Sequence, residues 1–494
     1  MKTIGLAAIT VSLRLTLVSF GASGSTVAQD PAVTAALGQL DTQLAAVMKE
    51  RNLPGLSAGV IYDQELIWAK GYGYADLERH VPADADSIYE IGSVTKLFNA
   101  VMLMKLRDAG RLSLDDPIER YLPGFKIRSR FTDPRPPTFR QVVSHVSGLP
   151  REYGFDVGES GHLQQSPAAV VLAGIKDKEM QYPAYSGFHY SNLGIYIIGQ
   201  ALQRIAGEPY TQYMQKNVFD PLGMRCTGWE YTDAMKPHRA IGYTAPKRDG
   251  SREVAPLFVP GDFGVSAGGI QSSVRDMARF ISLQFSEGPA GGAQILGSTT
   301  LREMWSSLVP AENWLWGYGI GWEVEKYPNH VGICHTGGTL GFASKVRAVP
   351  DLKLGFVVLI NQDTDSDELS RKLVEGLIPA FEQVAKQRVL LERPPLPADA
   401  AKYTGHFAGK FGIFDIFILD GRLTLITTEE DGTKGAPWIL QAREDSTLLI
   451  RSGSKDFDGQ VITFHPAASG QPASIELLGV KFPRTGDGPA ANNP

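Results

Sequence analysis

The spacing of hydrophobic residues predicts that helices and strands alternate over residues 29–390 of the chain. Within residues 33–49, Leu37, Leu40, Leu44 and Val47 form one apolar stripe, which is typical of an amphipathic helix. The further runs are, in order, strands at 56–61 and 66–72, helices at 97–106, 193–205 and 274–283, strands at 343–349 and 354–360, and a helix at 367–389. Because strand pairs lie near both ends, we expect one α/β domain whose sheet is built from both ends of this region.

A different pattern follows a proline-rich stretch. Residues 391–398 contain Pro394, Pro395 and Pro397, which predicts a stiff, extended linker. Beyond it, residues 399–494 consist of short strand-like runs separated by Gly, Asp and Ser turns, at 411–419, 423–427, 438–442, 447–451, 461–465 and 475–482. This pattern predicts a separate all-β domain, a small barrel.

The first 28 residues have the layout of a secretory signal. Lys2 precedes an apolar stretch at 4–20, and small residues lead up to Ala28. Arg14 interrupts the stretch, which argues against a permanent membrane anchor, and no later segment is apolar enough to predict a stable membrane span. We therefore expect an exported protein, periplasmic or secreted.

Composition and charge exclude several classes of function. The chain is 43% hydrophobic and 20% charged, with a net charge of -5 and no run of lysine or arginine, so we expect no nucleic-acid partner. Its two cysteines, Cys226 and Cys334, make no disulfide framework, and both a pair and two buried thiols fit the sequence. With no HExxH pattern among nine histidines we predict no metal and no cofactor.

The chemistry is predicted to start at Ser93-Val94-Thr95-Lys96, which leads into a helical run. A spacing of three residues places the Lys96 amine on the face of the helix that carries the Ser93 hydroxyl. A serine hydroxyl needs an adjacent base, and a desolvated lysine can act as that base when its pKa falls. The same spacing recurs at Ser452 and Lys455, but there no helix aligns the pair, which favours Ser93.

Two further motifs carry suitable groups. In Tyr190-Ser191-Asn192 the phenol can relay a proton and the amide can bind a substrate, whereas the similar Tyr327-Pro328-Asn329 is typical of a turn. His335-Thr336-Gly337-Gly338 is a glycine-rich edge whose backbone N–H groups can serve as oxyanion donors. A structural tyrosine and a plain glycine turn are the alternatives.

These three motifs, in this order, resemble the serine β-lactamase and penicillin-binding-protein superfamily, in the branch of class C β-lactamases, D-alanyl-D-alanine carboxypeptidases, D-aminopeptidases and β-lactamase-like esterases. The resemblance covers residues 37–389 and includes the segments 145–149, 221–224, 267–270 and 318–322. It implies an antiparallel sheet flanked by helices, with a helical lobe, and a C-terminal module similar to the β-barrel appendages of this branch.

The resemblance also implies roles for residues. Ser93 would attack the carbonyl, and Lys96 and Tyr190 would take its proton and later activate water. Asn192, His335, Thr336 and Gly337 would bind substrate. The backbone N–H groups of Ser93 and Gly338 would hold the oxyanion.

His335 departs from the family pattern. Class C β-lactamases usually carry lysine there, and histidine is largely neutral at pH 7. This difference favours a D-peptidase or an esterase over an efficient β-lactamase, and we expect a small-molecule or peptide substrate. The sequence does not distinguish these substrates, nor does it define the oligomeric state.

Two other functions fit parts of the sequence. Gly264-Val265-Ser266-Ala267-Gly268 matches the nucleophile elbow of α/β-hydrolases, which would make Ser266 the nucleophile. That motif needs a buried strand before it, and Pro256 and Pro260 interrupt the preceding run. A catalytically inactive scaffold is the other alternative, although all three motifs keep chemically competent residues.

Overall fold

The computed structural model describes residues 27–132, 135–157, 163–285, 293–310, 315–391, 396–397, 399–410, 412–419, 421–428, 432–435, 437–443, 445, 447–451, 457, 459–466 and 472–486. The chain divides into two compact units, Met1–Val384 and Ala385–Pro494. Most of the predicted signal segment, much of the predicted linker, and both Ser452 and Lys455 lie outside the described residues.

The first unit is built around a nine-stranded antiparallel sheet. Its strand order is β3-β2-β1-β14-β13-β12-β11-β10-β9. The strands are β1 (Gly55–Tyr62), β2 (Glu65–Asp76), β3 (Val81–Pro82), β9 (Val309–Pro310), β10 (Trp316–Tyr318), β11 (Glu323–Lys326), β12 (Val331–Thr339), β13 (Phe342–Val349) and β14 (Leu354–Ile360). Small sheets pair β4 (Ile88–Glu90) with β8 (Gln271–Ser273), and join β5 (Phe155–Val157), β6 (Leu163–Gln165) and β7 (Phe258–Val259).

The central pairing joins the two ends of this unit. Strand β1 pairs with β14 from Leu56 opposite Ile360 to Tyr62 opposite Leu354. Both strands are almost wholly buried, which explains why each reads as a continuous apolar run and not as an alternating one. The predicted α/β fold with a sheet made from both ends of the region is confirmed.

Helices cover the sheet and form the helical lobe. They are α1 (Pro31–Glu50), α2 (Thr95–Asp108), α3 (Phe139–Val143), α4 (Ala168–Ile175), α5 (Asn192–Ala206), α6 (Tyr210–Met214), α7 (Asp220–Leu222), α8 (Gly261–Gly264), α9 (Val274–Leu283), α10 (Ser298–Trp305) and α11 (Asp367–Leu391). Eleven of the fourteen residues of α2 are buried, so this helix lies inside the core. Its Phe98 ring packs against Phe280 of α9, with 4.1 Å between ring centroids.

The second unit contains a closed antiparallel barrel with its own apolar core. The strands run in chain order from β15 to β22: Gly405–Gly409, Gly412–Leu419, Arg422–Thr428, Trp438–Ala442, Leu448–Ile450, Val461–Pro466, Pro472–Leu477 and Val480–Gly486. The predicted barrel is confirmed, but two details of the strand prediction are wrong. The run 475–482 is two strands turning at Leu478 and Gly479, both with positive φ, and β15 was missed because its five residues include two glycines.

Within the described residues, no helix combines the length and the apolarity that crossing a membrane requires.

Candidate active site

Ser93 lies in a single 3-10 turn, Gly92–Val94, between strand β4 and helix α2. Gly92 has φ +49°, and a Cβ atom on it would lie 2.5 Å from the backbone nitrogen of Gly338. Only glycine therefore allows this turn to lie so close to strand β12. The close contact brings the peptide before Ser93 next to the peptide of Gly338, the two predicted oxyanion donors.

Lys96 is buried beneath the Ser93 hydroxyl. It is 1% exposed, and its Nζ lies 2.9 Å from Ser93 Oγ and donates a hydrogen bond to the carbonyl of Ala267 at 2.7 Å. Burial lowers the pKa of Lys96 to about 7, while the nearby Glu152 carboxylate opposes the shift. A neutral amine with a free lone pair is therefore well populated at neutral pH, beside the hydroxyl that it would deprotonate.

Tyr190 completes this group, with a side-chain hydrogen bond to Ser93. The Lys96 Nζ lies 5.1 Å from the centroid of its ring, and the Arg151 guanidinium lies at the same distance. Burial raises the pKa of Tyr190 above its usual range, although the hydrogen bond with Ser93 opposes this. The resting group is consequently a neutral phenol, and Lys96 is the better base of the two.

His145 supports the Tyr190 ring. It is fully buried, with 4.3 Å between the two ring centroids, and its Nδ1 accepts a hydrogen bond from the backbone N–H of Ser191 at 3.1 Å. Burial lowers the pKa of His145 well below its usual value, so the ring is neutral and its proton lies on Nε2. The segment 145–149 is part of the family resemblance, but the sequence predicts no role for His145, because its contact with Tyr190 is made only in the folded chain.

Asn192 is held by the segment that follows His145. Its backbone N–H donates to the carbonyl of Arg151 at 2.9 Å, and its side-chain Nδ2 donates to the Glu152 carboxylate. Ser191 caps helix α5 and donates its own hydroxyl to the carbonyl of Pro150 at 2.6 Å. These bonds hold Arg151 and Glu152 beside Tyr190 and Asn192, and no motif in the sequence predicts a role for either residue.

A cavity of about 350 Å³ opens beside Ser93. Its lining includes the predicted Ser93, Asn192 and Gly338, together with Ala267 and Gly268 of the segment 267–270. The other lining residues have no role predicted from the sequence, and they are Glu152, Phe155, Tyr196, Phe258, Thr339, Leu340 and Asp363. The volume is in the range of small-molecule sites.

His335 and Thr336 do not line this cavity. His335 is 1% exposed, its Nε2 lies 3.1 Å from Tyr318 Oη, and burial lowers its pKa to about 4. Thr336 is half-buried, and its hydroxyl accepts a hydrogen bond from the buried Lys345 at 2.8 Å. The cavity lining therefore gives no support to the prediction that His335 and Thr336 contact the substrate directly.

Gly337 has a packing role. A Cβ atom on it would lie 2.0 Å from the carbonyl oxygen of Ile91 and 2.3 Å from Ser344 Oγ. The strand can lie against the chain that precedes Ser93 only because this position has no side chain. The close packing fixes Gly338 next to Ser93, the predicted nucleophile.

The nucleophile elbow at Ser266 is contradicted by the fold. The motif follows the short helix α8 and precedes β8, with no buried strand leading into it. Ser266 is 1% exposed and donates its hydroxyl to the carbonyl of Ile195 at 3.2 Å. The same turn supplies the Ala267 carbonyl that holds Lys96.

Other predicted groups have structural places. Tyr327 donates its hydroxyl to Glu325 at 2.8 Å and does not line the cavity beside Ser93. Cys226 and Cys334 are free thiols, so they do not pair. No group of three metal-ligating side chains is present in the part of the chain that the structure describes.

Comparisons with known proteins agree with this geometry. The sequence profile of the family described as Beta-lactamase matches residues 40–377. "Beta-lactamase-like protein 2" of Dictyostelium discoideum is 30% identical over 362 residues, which cover 72% of this chain and 65% of that protein. "Protein flp" of Staphylococcus aureus (strain COL) is 27% identical over 340 residues, which cover 69% of this chain and 65% of that protein. The chain thus spans 65% of the length of each of these two relatives.

Solved structures share the fold. A penicillin-binding protein homologue from Pyrococcus abyssi, described as octameric, superposes with a TM-score of 0.60 and 23% identity, covering 90% of this chain and 99% of that one. A β-lactamase/D-alanine carboxypeptidase from Pseudomonas syringae superposes with a TM-score of 0.58 and 22% identity, covering 70% and 99%.

The fold, and the serine hydroxyl set beside a buried lysine amine, agree with the match to the Beta-lactamase profile. The chain belongs to the Beta-lactamase family.

Proposed function

We propose that this protein hydrolyses esters and D-amino-acid peptides through an acyl-enzyme formed on Ser93. The observation that carries the proposal is the buried Lys96 amine, 2.9 Å from Ser93 Oγ, with its pKa lowered to about 7. A serine beside a base of this strength can be activated at neutral pH.

The reaction begins with Lys96 as the base. The neutral amine accepts the Ser93 proton while Oγ attacks the substrate carbonyl, and the N–H groups of Ser93 and Gly338 bind the developing oxyanion. Tyr190 passes a proton to the leaving group and is reprotonated from Lys96, which returns the amine to its neutral form. A water molecule then attacks the acyl-enzyme with the same groups acting in reverse.

The substrate preference follows from His335. A buried, neutral imidazole supplies no ammonium for a carboxylate next to the scissile bond. Substrates that lack this carboxylate, such as esters and aminoacyl amides, are therefore favoured over β-lactams.

One observation favours a second candidate function, a carboxypeptidase. The exposed Arg151 guanidinium lies 5.1 Å from the centroid of the ring of Tyr190, the group that would protonate the leaving group. It could bind the carboxylate of a departing D-amino acid.

Labelling and turnover together test the proposal. We expect a fluorophosphonate to label Ser93, found by intact mass and peptide mapping, and p-nitrophenyl acetate to be turned over faster than a chromogenic cephalosporin. The folded Ser93→Ala variant should take up no label. A label on another serine, or no label on the folded protein, would contradict the proposal, and long-lived penicillin attachment at Ser93 would favour the carboxypeptidase.

Export is also proposed, on the basis of Lys2, the apolar stretch and the small residues before Ala28. N-terminal sequencing of protein recovered outside the cytoplasm should start close to residue 29. Recovery of the uncleaved chain in the cytoplasm alone would contradict export.

A further inference from the structure

Three residues in the wall of the active-site cavity carry hydrogen-bond acceptors. Two carboxylate residues, Glu152 and Asp363, line it together with Asn192. Among the described lining residues there is no lysine, arginine or histidine. A ligand group that contacts these three residues is therefore expected to donate hydrogen bonds, and a positive charge on that group would be favoured.

The orientation of the Asn192 amide sharpens this requirement. A carboxylate only accepts hydrogen bonds, so the bond between Asn192 and Glu152 must use the NH2 group of the amide. The Asn192 Oδ1 atom is then left as an acceptor, and it is buried with no partner in the described part of the chain. A buried acceptor without a donor is costly, which indicates that a ligand supplies the donor.

Glu152 keeps acceptor capacity for a ligand. Its side-chain hydrogen bond with Asn192 uses one carboxylate oxygen, Oε1. Desolvation at the cavity wall raises the pKa of Glu152, although the Asn192 bond and the charges of Lys96 and Arg151 oppose the shift.

Aromatic side chains complete the wall. Phe155 lies 6.1 Å from Tyr196 and 6.2 Å from Phe258, between ring centroids, and all three line the cavity. Carboxylates beside aromatic faces are a favourable surrounding for an organic cation, and a poor one for a carboxylate ligand.

The acyl part of the substrate is the part that reaches this wall. Tyr190, which protonates the leaving group, does not line the cavity, whereas Glu152 and Asn192 do. The leaving group therefore departs toward Tyr190, and the acyl group occupies the cavity.

We infer that Glu152, with the Asn192 carbonyl, binds a primary ammonium group on the acyl part of the substrate, so that the enzyme selects aminoacyl esters and amides with a free amine. This inference rests on the proposed hydrolase function and names its substrate class.

The test compares two substrates that differ only in this charge. D-Alanine p-nitroanilide carries a free amine, and N-acetyl-D-alanine p-nitroanilide does not. We expect kcat/KM to favour the free amine by about tenfold or more. Glu152→Gln should remove most of that ratio, and Glu152→Asp should keep the greater part of it. Glu230→Gln, which removes the same charge from an exposed residue outside the cavity, should leave the ratio unchanged.

Two results would overturn the inference. One is no preference for the free amine in the wild-type enzyme. The other is an equal loss for both substrates in Glu152→Gln, because Glu152 would then only position Asn192. Fluorophosphonate labelling of Ser93 separates the proposals: a labelled enzyme without the amine preference refutes only the inference, and an unlabelled folded enzyme refutes both.

Discussion

At the scale of single residues, the state of Lys96 should set the pH dependence of activity. Burial lowers its pKa to about 7, so the neutral, basic form of the amine increases as the pH rises through 7. We expect kcat/KM for p-nitrophenyl acetate to rise by about tenfold from pH 6 to pH 8 and then to level off. A profile that is flat or falls over this range would contradict Lys96 as the base.

Removing the amine tests the same role directly. Lys96→Ala should lower kcat/KM by about 10²–10⁴-fold, because the Ser93 hydroxyl then keeps only the neutral Tyr190 phenol, a much weaker base, as its partner. Circular dichroism should show a folded protein. Lys372→Ala, at an exposed lysine of helix α11, is the matched control and should keep wild-type activity. A Lys96→Ala enzyme close to the wild-type rate would exclude the proposed base.

Tyr190 has a separate prediction because its phenol is neutral at rest. Tyr190→Phe keeps the ring contact with His145 but removes the hydroxyl that bonds to Ser93. We expect acylation to slow by about 10²-fold, seen as loss of the pre-steady-state burst of p-nitrophenol. An unchanged burst would count against the proton relay.

The sequence could predict some of these residues and not others. Ser93, Lys96, Tyr190 and Asn192 belong to short motifs whose residue types already imply their chemistry. The Ala267 carbonyl that holds Lys96 is a backbone atom and leaves no trace in residue type. Glu152 meets Asn192 across 40 positions of sequence, so only the fold brings the two together.

At the scale of secondary-structure elements, the contact between strand β12 and the turn of Ser93 depends on Gly337. Gly337→Ala would place a methyl group 2.0 Å from the Ile91 carbonyl, where backbone must move. We expect a loss of stability of about 1–3 kcal/mol and much weaker labelling of Ser93. Gly338→Ala is the control for folding, because an added Cβ atom there would lie 3.9 Å from the carbonyl oxygen of Phe342. Equal melting temperatures for the two variants would contradict this packing argument.

A buried charge network joins strands β11 and β13 and reaches Thr336. Lys345 is fully buried and bonds to Glu323 at 3.0 Å, to Thr336 Oγ1 at 2.8 Å and to Asp367 at 2.5 Å. Lys345→Met would leave the Glu323 carboxylate without its cation, at a cost of about 3–5 kcal/mol. Urea denaturation measures the loss, and Lys353→Met, at a partly exposed ion pair with Asp63, should cost under about 1 kcal/mol.

Element prediction succeeded where periodicity was long and uniform. Helix α11 was predicted at 367–389 and runs from Asp367 to Leu391. The run 475–482 was misread because apolar residues continue on both sides of a two-residue turn, which hides the reversal. The buried network was not predictable either, because Lys345 and Arg347 resemble surface charges until the strand is known to be covered on both faces.

At the scale of the whole molecule, the two units have separate apolar cores. Leu97 belongs to the core of the first unit and Leu425 to that of the barrel, and both are fully buried. Replacing either residue by alanine should cost about 2–5 kcal/mol in its own unit, because a cavity is left in a packed core. Calorimetry of the full chain should therefore resolve two transitions, with Leu97→Ala lowering one melting temperature and Leu425→Ala the other. On warming, fluorophosphonate labelling of Ser93 should disappear at the melting temperature of the first unit. Leu425→Ala should leave that melting temperature unchanged. A single transition that both substitutions shift equally would mean that the units unfold as one, and that the barrel contributes to the stability of the catalytic unit.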